Sequence, residues 1–183
     1  VSLSTGTTSE VIENIMTGRA NIGVVEGELE DLMRDRLESI ELQKIELVVV
    51  VGRSHEWWQR NEISVQDLND HPFVSRQPKS RTRIFIDKQL AAYAVHPHYV
   101  AEFDNPEAIK ETVMDGLGVT ILPTYAVARE RASGLLRAVP LSDMTFQRQL
   151  KLLWDSRRSF SPVTRAFLGQ LSETYERITP ILP

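Results

Sequence analysis

Cysteine is absent from the 183 residues. That absence removes disulfides, thiolate nucleophiles and cysteine-ligated metal sites together, and it fits a cytoplasmic setting. No apolar run approaches the roughly 20 residues of a membrane-spanning helix. The strongest one, Ile45 to Val51, is broken by Glu46 and suits a buried strand, so no membrane partner is expected. No hydrophobic leader is visible, and the chain opens on Val1-Ser2-Leu3-Ser4 as if in the middle of a fold. An excess of positive charge is also lacking: 21 Lys and Arg stand against 25 Asp and Glu, for a net charge of −4. A surface that grips nucleic-acid phosphates needs a dense basic face, so these residues are not expected to bind DNA themselves. A Walker loop, a dinucleotide fingerprint and a G-x-S-x-G elbow are all missing. The four histidines, His55, His71, His96 and His98, lie beside turn or charged residues at no familiar ligand spacing. They read as surface imidazoles, and neither a metal, a cofactor nor an enzymatic constellation is expected.

What is present is an ordinary globular composition, 42% hydrophobic, long enough for one large domain or two small lobes. Val1 to Ser4 alternates like a half-buried strand. Thr7 with Glu10 has capping-box spacing and predicts a helix from about Thr8, closed by Gly18. Ala20 to Val25 reads as the next strand, in a strand–helix–strand unit suited to parallel pairing. After a charged stretch, Ile40-Glu41-Leu42 and Ile45 to Val51 read as two strands of a hairpin-like pair. Val65 to Leu68 is a helical turn, Pro72 to Val74 a strand, Arg81 to Tyr93 a helix and Tyr99 to Phe103 a strand. Asn105 caps and Pro106 starts a further helix that Gly116 stops. Val119 to Leu122, Leu136 to Leu141 and Gln149 to Trp154 are strands, with a helix over Thr124 to Ala132. Ser161-Pro162 opens a terminal helix with Val163, Phe167, Leu168, Leu171 and Tyr175 on one face. Alternating strands and helices argue for an α/β fold with largely parallel sheets.

Three segments in order carry a resemblance. Val1 to Thr7 runs through Gly18-Arg19-Ala20-Asn21-Ile22-Gly23 to Gly27, with Asn21 where aspartate is usual. Leu47-Val48-Val49-Val50-Val51 leads to His55, with Glu56 in place of a proline. Asn105-Pro106-Glu107-Ala108 is followed by Gly116-Leu117-Gly118-Val119-Thr120-Ile121-Leu122-Pro123, which is similar to a G-x-G-I-x-x-L-P signature. Ser80-Arg81-Thr82-Arg83 adds a weaker S-G-T-R match. Through nearly its whole length the chain resembles the C-terminal regulatory domain of LysR-type transcription regulators. The resemblance implies two Rossmann-like lobes joined by two crossover strands, as in type 2 periplasmic binding proteins. The first lobe would hold 1–48 and 150–183, the second 49–149. It also implies that a first strand, loop and helix of lobe one are missing. A small, anionic effector would bind between the lobes. The domain would form a homodimer or tetramer and reach DNA only through an N-terminal helix-turn-helix outside this chain. A periplasmic solute-binding protein shares the fold and is the alternative.

The residues support a ligand reading on their own terms at a few places. A helix N-terminus offers unpaired amides and partial positive charge, and Thr5, Gly6, Thr7 and Thr8 surround one with hydroxyls and a glycine that admits close approach. Plain capping explains the same residues. Asn105 opens another helix and is either cap or contact. Arg76 and Ser80 lie in a polar, basic loop where an arginine can hold a carboxylate or phosphate. Arg81 and Arg83 read as solvated. Glu26, after the second strand, either accepts from a ligand or is solvated. Gly116-Leu117-Gly118 reads as helix termination and tight packing, and Trp57-Trp58 as a pair of which one is exposed.

Overall fold

Local hydrogen bonding sets the first helix. In the computed structural model, which describes residues 2–27, 29 and 36–181, α1 (Thr8–Thr17) starts on the Thr7/Glu10 capping box and stops at Gly18 with φ 76°. Residues 2–7 form no strand, and Leu3 is 92% exposed. Val1 lies outside the described residues; Ser2 to Ser4, without a neighbouring ladder, do not make a sheet edge, so the expected first strand and its parallel pairing are corrected there. β1 (Ile22–Glu26) pairs antiparallel with the distant β7 (Phe146–Asp155), from Ile22 opposite Trp154 to Glu26 opposite Leu150.

The expected hairpin is one strand, β2 (Leu37–Gly52). Gln43 and Lys44 are not turn formers, and nothing at that point bends the backbone. Residues 28 and 30–35 of the charged stretch before it lie outside the described residues. The chain then forms 3₁₀ turns over Glu56–Gln59 and Val65–Leu68, β3 (Pro72–Arg76), α2 (Arg81–Ala91), β4 (His98–Phe103), α3 (Pro106–Met114) and β5 (Thr120–Pro123). A 3₁₀ turn and α4 (Ala128–Ala132) precede β6 (Leu136–Val139); β7 and α5 (Pro162–Ser172) follow.

The chain divides into two compact units, Val1–Ile45 with Arg148–Pro183 and Glu46–Gln147, and passes between them inside β2 and β7. In the first unit two apolar clusters form the core, one around Ile15, Val25, Leu37 and Leu153, the other around Leu152, Leu168 and Ile178. In the second, β2 pairs antiparallel with both β5 and β6, while β3 and β4 pair in parallel. Sheets were expected to be largely parallel, but three of these four interstrand pairings, β1–β7 included, are antiparallel. Element alternation along a chain does not dictate direction when long strands cross from one unit to another.

Both faces of β2 are covered in the second unit. Leu47, Val49 and Val51 enter one cluster with Phe73, Val119 and Ile121, and Val48 and Val50 enter another with Val74, Ile109 and Leu122. The period of two sends alternate side chains to opposite clusters, so the strand reads as an unbroken apolar run. Gly118 serves this packing. Its backbone lies so close to β3 that a Cβ would meet the Pro72 carbonyl oxygen at 2.5 Å, while the Val119 amide donates to the Pro72 carbonyl and the Val119 carbonyl accepts from the Val74 amide of that strand. Trp57 is buried and Trp58 half-buried, so neither indole is openly exposed. On α5 the buried residues are Thr164 and Leu168, and Val163 and Phe167 face out at 62% and 43% exposure. Of the expected face, Leu168, Leu171 and Tyr175 pack into the core cluster, Tyr175 from beyond the helix, and Val163 and Phe167 turn away. No helix among the described residues is long and apolar enough to cross a membrane.

Candidate functional site

Two parallel neighbours, β3 and β4, each run into a helix, and their register brings the two junctions together. Arg76 ends β3 opposite Phe103, which ends β4, and the Gln77 amide donates to the Phe103 carbonyl at 2.9 Å. Ser80 then occupies the N-cap of α2 and Asn105 the N-cap of α3. One sheet edge thus carries an arginine and two helix N-termini. This is the carboxyl edge of parallel strands, where α/β sheets present ligand sites, and the helix ends favour negative charge.

The individual groups differ in how committed they are. Arg76 is half-buried, and its buried Nε has no hydrogen-bond partner among the described residues. The Ser80 side chain makes no capping bond. The Asn105 Oδ1 accepts from the Ala108 amide at 2.9 Å, and its Nδ2 donates to Asp104 at 3.2 Å, so its side chain is occupied as a cap.

In the first unit, Thr5, Gly6 and Thr7 are exposed and Thr8 half-buried. The Thr7 amide donates to the Glu10 carboxylate at 2.6 Å and the Thr7 hydroxyl to the same oxygen at 2.9 Å, while the Glu10 amide donates back to that hydroxyl at 3.3 Å. The donation from the Thr7 amide, followed by that from its hydroxyl, holds the Glu10 carboxyl below its ordinary pKa. A carboxylate at this helix mouth was not foreseen, although the capping-box spacing signals it; the Thr8 and Ser9 amides remain as first-turn donors. Glu26 is half-buried and already ion-paired: Arg148 donates to its carboxylate at 3.2 Å and to its carbonyl at 2.6 Å. The two residues are neighbours because β1 lies against β7.

Arg83 is corrected more sharply. The expectation of a solvated loop fails because Arg83 sits inside α2, 7% exposed. It donates to Asp87 at 2.8 Å, to Glu102 at 2.9 Å and to the Arg76 carbonyl at 3.1 Å, with its guanidinium 3.5 Å from the Tyr99 ring centre. It therefore holds the backbone at the end of β3 where Arg76 stands. Burial, reinforced by donation to Asp87, pushes the Tyr99 phenol above its ordinary value. The sequence carries an Arg83/Asp87 i,i+4 pair, the signal that was available. His55 and His71 are also not surface groups, as their half-burial and mutual contact show.

Residues 1–176 match the family described as the LysR substrate binding domain. The chain is 26% identical over 183 residues to a "Probable RuBisCO transcriptional regulator" of Cyanophora paradoxa, covering 98% of this chain and 56% of that protein. It is 33% identical over 125 residues to the "RuBisCO operon transcriptional regulator" of Acidithiobacillus ferrooxidans, covering 68% and 40%. The chain thus spans about half the length, or less, of these curated relatives, which are described as transcription regulators. Two solved structures share its fold. The Synechocystis PCC6803 CcmR regulatory domain in complex with 2-PG superposes with a TM-score of 0.85 at 21% identity, covering 96% of this chain and 83% of that one. The effector binding domain of QuiR in complex with shikimate does so at 0.79 and 21%, covering 93% and 79%. These neighbours carry the type 2 periplasmic-binding-protein-like architecture. The protein is a member of the LysR substrate-binding-domain family.

Proposed function

We propose that this chain is the effector-sensing part of a LysR-type transcription regulator and takes a small carboxylate- or phosphate-bearing metabolite. The observation that carries the reading is the β3–β4 edge, where Arg76, with a buried guanidinium nitrogen lacking a partner, stands beside two helix N-termini. The ligands of the structural neighbours, 2-PG and shikimate, belong to the same chemical range. Arg76 supplies the charge, Ser80 a hydroxyl, and the Glu107 amide, next after Pro106, a further donor. Thr5, Gly6, Thr7 and Thr8 form the second group of contacts, through backbone donors of α1 and the Thr8 hydroxyl. Glu26 acts through Arg148, by keeping that buried guanidinium in place. The two compact units are the two regulatory lobes, and an effector shifts their equilibrium only by its differential affinity for the two arrangements. The full protein is a cytoplasmic homodimer or tetramer that meets DNA through a helix-turn-helix outside this chain.

Calorimetry on the full-length protein with 2-PG, shikimate and a set of organic acids and sugar phosphates tests this. One of them is expected to bind, with Arg76→Met lowering affinity roughly 10- to 100-fold, the worth of a hydrogen bond to a charged group. Thr7→Ala is expected to cost about 1 kcal/mol of helix stability through the lost cap and to weaken binding as well, while Thr7→Ser retains both. Silence from the whole set at millimolar concentration would remove the proposal.

A further inference from the structure

Outside that site, two imidazoles meet in the second unit. Residues 52–55 turn after β2, with the His55 amide donating to the Gly52 carbonyl at 3.1 Å. His55 then caps the Glu56–Gln59 turn, its Nδ1 accepting from the Trp57 amide at 3.1 Å. Its Nε2 lies 3.0 Å from the Nε2 of His71, the residue before β3. Trp57 is 2% exposed, lies stacked on the His71 ring at 4.2 Å between centroids, and meets the His55 ring edge-on at 4.9 Å. The His71 backbone is fixed at both groups, by Leu68 and by His98.

Proton positions follow from these contacts. Because His55 Nδ1 accepts a backbone N–H, a neutral His55 carries its proton on Nε2. That proton points at His71 Nε2, which must be the acceptor, so a neutral His71 carries its own proton on Nδ1. With ring centroids 5.2 Å apart, the rings lie nearly end to end, as an N–H···N bond requires. Both lone pairs are used. Any further proton has to break either the cap on Trp57 or the bond between the rings.

We propose that the His55–His71 pair is an acid-opened clip that ties the end of β2 to the start of β3 and keeps Trp57 covered. The charged groups that bear on it are Glu56, acting on both rings, and Asp67, acting on His71. Both favour the protonated forms, but burial outweighs them. Burial first, then the neighbouring His71, lowers the His55 pKa; burial lowers that of His71 against Glu56 and Asp67. A histidine pKa below its unfolded value means that the unfolded chain binds more protons. The clip's contribution is therefore complete above about pH 6.5, the ordinary histidine value, and is lost as pH falls through the lower folded-state values. On protonation the His71 ring leaves the indole and Trp57 becomes wetter.

Nitrogen-15 NMR of the intact protein from pH 8 to 5 tests the clip. At pH 8, His55 is expected in the Nε2–H form and His71 in the Nδ1–H form. Both are expected to titrate below the ordinary histidine value of about 6.5, with the Trp57 indole signal moving in step. In His71→Gln, whose amide oxygen still accepts from His55 but does not take up a proton in this range, the Trp57 signal loses most of that pH dependence. Titration of both rings at or above about pH 6.5, a Trp57 signal that ignores the titration, or an unchanged Trp57 profile in His71→Gln would each overturn the clip. If the variant does not fold, the tautomers of the unaltered protein and the pH at which its two rings titrate decide alone.

Discussion

Phe73→Ala is expected to lower unfolding free energy of the second unit by about 3–5 kcal/mol. Phe73 is wholly buried, in the cluster that also holds Leu47, Val49, Val51 and Val119, and it meets the Tyr99 ring edge-on at 5.6 Å between centroids. The cost depends on whether neighbours can collapse into the space left behind. Here they are held. Gly118 already brings the lead-in of β5 against Pro72, and Val119 is tied to β3 by backbone hydrogen bonds to Pro72 and from Val74. The value should therefore fall in the upper part of that range. Urea denaturation followed by the Trp57 and Trp58 indoles, both in the second unit, reads it directly. A loss under about 1 kcal/mol would show that the core closes over the gap. Because β3 ends at Arg76, affinity for the effector proposed to bind there should weaken even in molecules that remain folded.

Leu168→Ala should cost about 2–5 kcal/mol in the first unit, and Phe167→Ala, one residue earlier, should stay within about 0.5 kcal/mol. Leu168 is fully buried beside Leu152 and Ile178, whereas Phe167 is 43% exposed. The contrast tests which stripe of α5 faces its unit, since the two side chains are similar in hydrophobicity and differ by one step around the helix. Trp154, which meets Phe160 edge-on in the same unit, reports the loss separately from Trp57 and Trp58. Equal effects of the two substitutions would mean that α5 is seated differently.

Much of the fold was legible because its signals are short-ranged. The capping box at Thr7 and Glu10, the glycine stop at Gly18, the Asn105-Pro106 start and the Ser161-Pro162 start all involve atoms within four residues of one another. The unbroken apolar run at the end of β2 announced a strand covered on both faces. The family was legible as well, from segments spread along the chain. Less could be read of the candidate site. Asn105 and Thr7 were placed at helix starts correctly, but whether their side chains were free or already spent on caps was not visible from residue type.

Alone, the order of residues determined where helices begin and end, which stretches are apolar enough to be strands, and that the chain carries no excess of basic charge. Those properties depend on neighbours in sequence and on composition. The tertiary structure decided that β2 is continuous, that β2 pairs antiparallel with β5 and β6 and β7 with β1, and that α5 buries Leu168 and not Phe167. It also decided the partners of the polar groups. His55 finds His71 16 residues away, Arg83 finds Glu102 at 19, and Arg148 finds Glu26 at 122. A buried polar group must be satisfied by whatever the fold brings beside it, and separations of that size leave no local trace.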